Sequence, residues 1–149
     1  MLKTKSIIAA TACVLTFGLF SFKGDKDSLN KKIYILQVNE IKDGQAKSKK
    51  PIEDELEFKD GKAFSNILYD KHQFKWIKYT ISKDSTYEEE GEQKHLIEAT
   101  ASSTNDANET IDITVKIDGF DIEGSYKLSK KAVQKKLYEF TGKEKTKKK

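Results

Sequence analysis

Thr110–Leu128 reads TIDITVKIDGFDIEGSYKL, and this stretch decides the fold. Ile111, Ile113, Val115 and Ile117 recur at every second position with Asp112, Thr114 and Lys116 between them, the pattern of a strand with one buried face and one wetted face. After Asp118-Gly119, a dipeptide that tolerates the positive φ of a two-residue turn, Phe120, Ile122, Gly124, Tyr126 and Leu128 resume the same period. The stretch is therefore an antiparallel hairpin.

A second hairpin is legible in Glu55 to Phe58 and Lys62 to Ser65, joined by Lys59-Asp60-Gly61, with Leu56 and Phe58 on one face. Four more strands are placed at Lys32 to Ile41, Trp76 to Ser82, Glu92 to Ser102 and Lys135 to Thr141, which makes eight. Turn-forming residues separate them: Asp43-Gly44 through Pro51, Asp84-Ser85, Glu88 to Gly91, Ser102 to Ala107 and Ser129-Lys130-Lys131. In Ser65 to Gln73 the apolar spacing shifts to three and four residues, through Ile67, Leu68 and Lys71, and predicts a short helix or helical turn near residues 65–73. The expected fold is all-β, an antiparallel eight-stranded meander that closes into a barrel, because closure removes exposed strand edges and the short connections suit a meander. A β-sandwich is the other way to pack the same strands.

Two segments resemble small exported lipocalin-like (calycin-type) β-barrel proteins of bacteria. They are Lys50-Pro51-Ile52-Glu53-Asp54-Glu55-Leu56-Glu57-Phe58-Lys59-Asp60-Gly61-Lys62, and Asp121 to Lys131 taken with Tyr138-Glu139-Phe140-Thr141-Gly142. The resemblance spans most of residues 31–142. It implies a lipocalin-like barrel and a habit of enclosing apolar ligands.

The 149 residues suit one domain. Lys3 and Lys5 precede an uncharged run from Ser6 to Phe22, the layout of an export signal, so residues 1–22 are read as a signal peptide removed near Ser21 or Phe22. The run is shorter than the roughly 20 residues a spanning helix needs, so no membrane span is expected in the mature form. Cys13 follows Ala10-Thr11-Ala12, which imitates a lipid-attachment box, but Val14 to Phe22 stay apolar after it. With the signal gone no Cys remains, hence neither disulfides nor a thiolate nucleophile. Residues 23–30 are read as a flexible linker, 31–142 as the barrel domain and 143–149 as a disordered Lys-rich tail. The expected location is exported: periplasm, cell envelope or medium.

The formal charge of +4 belongs to the ends of the chain. Residues 23–142 carry 21 Lys against 23 Asp and Glu, so the body is near neutral. The sequence contains no Arg, which removes the bidentate fork used on phosphates and guanines, and no nucleic acid is expected as a partner.

Catalytic chemistry is thinly supplied. His72 lies in the polar stretch Asp70-Lys71-His72-Gln73 and reads as a solvated residue. His95 reads as a strand residue, and although Glu88, Glu89, Glu90 and Glu92 stand near it in sequence, no metal-ligand spacing is present. Asn108-Glu109-Thr110 is a formal glycosylation sequon. Catalytic residues, a metal and cofactors are accordingly not expected, nor is an enzyme. The aromatic set Tyr34, Trp76, Tyr79, Phe120, Tyr126 and Tyr138, with Phe140, is the cluster able to line a ligand cavity, its hydroxyls supplying the few polar groups. The leading expectation is a monomeric, non-enzymatic barrel that holds a small apolar or amphipathic molecule in its interior. The alternative is an exported protein-interaction module, an inhibitor or accessory subunit, with a packed interior.

Overall fold

The computed structural model describes residues 27–146. The expected export signal lies outside the described residues. Within them the chain forms β1 (Ile33–Lys42), β2 (Gln45–Ala46), β3 (Ile52–Lys59), β4 (Lys62–Ser65), the helix α1 (Asn66–His72), β5 (Ile77–Glu89), β6 (Glu92–Thr104), β7 (Glu109–Asp118), β8 (Asp121–Lys130) and β9 (Val133–Glu144). These nine antiparallel strands make one ring-like meander sheet in the order β2-β1-β3-β4-β5-β6-β7-β8-β9, and pairing of β1 with β9 joins its ends. The all-β meander expected from the sequence is what the chain adopts, with β2 as a two-residue addition hairpinned onto β1.

Alternation puts one face of each strand inside the ring. Tyr34, Leu36 and Val38 of β1, Leu56 and Phe58 of β3, the four β7 aliphatics and Tyr126, Tyr138 and Phe140 are all buried in a single apolar cluster. Burial of this kind contributes about 25 cal/mol per Å² of apolar surface, so the inward rows hold the ring together. Near the β1–β9 junction the backbones come unusually close. A Cβ on Gly142 would stand 2.2 Å from the Ile35 carbonyl oxygen and 2.9 Å from Leu36 Cα, so only glycine fits there.

The two rims differ. One carries the β3–β4 turn, the β5–β6 turn and the β7–β8 turn, and both ends of the described chain leave from it. Leu29 is buried at this rim, the Lys31 N–H donates to the Phe58 carbonyl at 2.8 Å and the Lys145 N–H donates to the Ile33 carbonyl at 2.7 Å. Residues 27–30, read as linker, are therefore docked, and residues 143–145, read as tail, continue the β9 edge against β1. The other rim is capped by α1. Ser65 is its N-cap and accepts from the Leu68 N–H at 3.2 Å, while Gln73 ends it in the left-handed region at φ 57°.

Three further boundaries differ from the sequence reading. The β7–β8 loop is Gly119-Phe120, because Asp118 pairs with Asp121, and of that loop only Gly119 takes positive φ, at 64°. A glycine at the first central position suits that kind of turn. Asp84-Ser85 does not interrupt β5. A bulge between Ile81 and Lys83 absorbs Ser82, whose hydroxyl donates to the Glu98 carbonyl at 3.1 Å, and the strand then runs on to Glu89. Finally β9 starts at Val133, because Lys131-Ala132 forms a tight turn with both residues at positive φ, 52° and 62°.

Candidate functional site

The six aromatics singled out in the sequence do not share one place. Tyr34, Tyr79, Tyr126 and Tyr138 point into the ring. Trp76 is 41% exposed and stands on the outside against Phe64, with ring centroids 5.3 Å apart, while Phe120 at the β7–β8 turn is 69% exposed. Phe64 also packs on Tyr69 at 5.5 Å, so Trp76 belongs to a small outer aromatic group.

Inside, the tyrosines are built into the core. The Tyr126 hydroxyl donates to Asp54 Oδ2 at 3.1 Å, the Ser65 hydroxyl donates to the same oxygen at 2.6 Å, and the Ile67 N–H donates to Asp54 Oδ1 at 3.0 Å. This buried carboxylate thus ties the first turn of α1 to β8 and is satisfied on both oxygens. Burial first, and then the Asp54 charge, hold the Tyr126 phenol well above its ordinary range. Tyr79 donates to Asp27, and Tyr138 shares a hydrogen bond with His72 Nε2 at 3.2 Å. Burial also raises the Tyr138 phenol, with the Glu40 charge adding to it. Tyr34 is the exception, fully buried with its hydroxyl unpaired among the described residues, its ionisation pushed up by burial and by Glu144. Asp54 and Ser65 were not singled out in the sequence. Their signal was available: Asp54 shares the inward parity of Leu56 and Phe58, and Ser65 immediately precedes a helix.

His95 contacts Asp84, which also accepts from the Ser28 hydroxyl. The carboxylate stands between the imidazole and the hydroxyl, so the histidine is not placed to take the serine proton and no activated nucleophile results. Among the described residues no group of three or more His, Cys, Asp or Glu side chains could hold a metal ion.

A set of concavities lies on the outer face, where registry of β7, β8, β9 and β1 stacks side chains in cross-strand rows. Thr114, Ser125, Glu139 and Asn39 form one row, and Lys116, Glu123, Thr141 and Gln37 the next. A third, Asp118, Asp121, Lys143 and Ile35, reaches the rim. Three cavities of about 480, 660 and 860 Å³ follow these rows. The first two share Gln37, Lys116, Glu123 and Thr141, and the last two share Ile35 and Lys143, so they form one continuous groove. Its middle is floored by amides, hydroxyls and charged groups. Its rim end is walled by Phe120, Ile33 and four lysines. No protein-family model, no curated protein and no solved structure matches this chain.

Proposed function

We propose that this chain is a non-enzymatic, exported protein-interaction module whose interior is a structural core and whose recognition surface is the outer groove over β7, β8, β9 and β1. The observation that carries the reading is the continuity of three outward cavities along cross-strand rows of Gln, Asn, Ser, Thr, Glu and Lys side chains. Such a floor offers donors and acceptors to the backbone and polar side chains of an extended protein segment, and it offers an apolar small molecule little. Export is supported by Lys3, Lys5 and the uncharged run that follows them.

The test is photo-crosslinking in the host cell from an amino acid installed at Gln37 or Ser125, with Glu57 and Lys78 as controls elsewhere on the sheet. A discrete protein adduct from the groove positions and none from the controls supports the reading. Equal labelling from all four positions, or none from any, overturns it.

Enclosure of a small ligand, as in lipocalin-like barrels, is the second reading, and the unpaired Tyr34 hydroxyl favours it because a buried orphan of that kind calls for a polar atom beside it. Native mass spectrometry of the purified protein distinguishes the two, since an interior ligand adds a defined small mass.

A further inference from the structure

The rim from which both chain ends leave carries two features of opposite sign, the rim end of the groove and an arm that the groove does not include. One is the cleft of about 860 Å³ bounded by Lys31, Lys32, Lys143, Lys145 and the exposed Phe120. Its lysines are loosely held. Lys32 lies 3.9 Å from Glu144, Lys143 lies 3.9 Å from Asp121, Lys145 lies 3.3 Å from Glu55, and Lys31 makes no ion pair among the described residues.

The other feature is the β5–β6 arm. Its ladder runs on to Glu89 opposite Glu92, whereas the β6–β7 ladder stops at Leu96 opposite Asp118. The arm therefore overhangs the rim by about 13 Å at the usual strand rise. Its tip carries exposed Glu88, Glu89, Glu90 and Glu92; Lys94 pairs with Glu89 at 2.6 Å, and the other three make no ion pair among the described residues.

Strand order fixes how these features relate. With β2 set aside, the ring runs β1-β3-β4-β5-β6-β7-β8-β9, so the β5–β6 arm stands half a circuit from the β9–β1 junction that holds the cleft. Two rings facing rim to rim about a two-fold axis perpendicular to the ring axis would bring each arm over the other's cleft, with both contacts made at once. That is a closed, isologous arrangement.

We propose that two copies of this chain pair rim to rim, the acidic arm of each seated in the lysine-lined cleft of the other and covering Phe120. The contact is independent of whatever occupies the polar middle of the groove.

The test is sedimentation of the purified protein, its N-terminus fixed by intact mass, at about 0.02 M and about 0.5 M salt, a range over which screening of exposed charges changes several-fold. The expected result is a dimer at low salt whose association constant falls at least tenfold at high salt. Two charge-reversed chains, Glu88→Lys with Glu90→Lys and Glu92→Lys, and Lys31→Glu with Lys143→Glu and Lys145→Glu, are each expected to be monomers with unchanged circular dichroism. Mixed in equal amounts they should form a heterodimer, because each arm then meets a cleft of opposite sign. A wild-type chain that stays monomeric at low salt, a dimer that survives both reversals, or reversed chains that fail to pair when mixed would overturn the proposal. Crosslinking from Gln37 and Ser125 to another protein can succeed or fail without changing that outcome.

Discussion

Tyr126 and Asp54 meet inside the ring, the phenol of β8 donating to a carboxylate oxygen of β3 at 3.1 Å. The same carboxylate receives the Ser65 hydroxyl and the Ile67 N–H, so one side chain satisfies three donors that α1 and β8 bring into the core. Asp54→Ala would strand all three and should destabilise the protein by about 3–5 kcal/mol, whereas Tyr126→Phe removes one donor and should cost about 1 kcal/mol. Denaturant midpoints of the two variants check this. Equal, small shifts would mean that water reaches the site.

Gly142→Ala should weaken the β1–β9 closure, because its methyl group would overlap the Ile35 carbonyl. The backbone must move, so a loss of about 2–4 kcal/mol is expected. Amide exchange should accelerate first at Leu36 and Val38, which pair across that junction.

The turns give a contrasting pair. At Gly119 nothing lies within 4 Å of an added Cβ, so Gly119→Val meets backbone strain alone and should cost on the order of 1 kcal/mol. Ala132 already bears such strain at φ 62°, and Ala132→Gly should raise stability by about 0.5 kcal/mol, the relief exceeding the added freedom of the unfolded chain. Thermal midpoints moving in opposite directions for the two variants are the expected outcome.

Burial lowers the His72 imidazole below its ordinary value near 6.5; Glu109 and Glu40 oppose the shift, while Lys136 and Lys71 add to it. A lowered folded-state value means that the unfolded chain binds the extra proton first. The stability tied to neutral His72 is therefore complete above about pH 6.5 and is lost as pH falls from there through the folded-state value. His72→Gln should flatten that part of the stability profile, measured as denaturant midpoints between pH 7.5 and pH 5 by the linkage slope. An unchanged slope in the variant would place the dependence on other groups.

The meander was readable because its strands obey a period of two wherever Ile, Val, Leu and Phe fill the inward row, as from Ile111 to Ile117. It failed where geometry interrupts that period. The bulge at Ser82 shifts the inward row, so the polar residues after it looked like a turn when they continue β5. Phe120 has the parity of Ile122 and Tyr126 and reads as inward, but as the second residue of a two-residue loop it leaves the sheet before parity applies. Trp76 precedes β5 and faces away from Ile77 and Tyr79, as alternation requires. The groove was invisible for a different reason: its rows combine residues from four strands, and only the registers reveal that Gln37 and Lys116 border one cavity.

Pairing of β1 with β9 also sets a timetable. Ile33–Lys42 is made well before Val133–Glu144, yet the two are neighbours from Tyr34 opposite Glu144 to Ile41 opposite Leu137. Until β9 has emerged, β1 has one open side and the inward row of Tyr34, Leu36 and Val38 lacks its lid, so the nascent chain cannot reach its final state piece by piece. Contacts this distant in sequence form slowly, and a chain awaiting them exposes strand edges that other chains can capture.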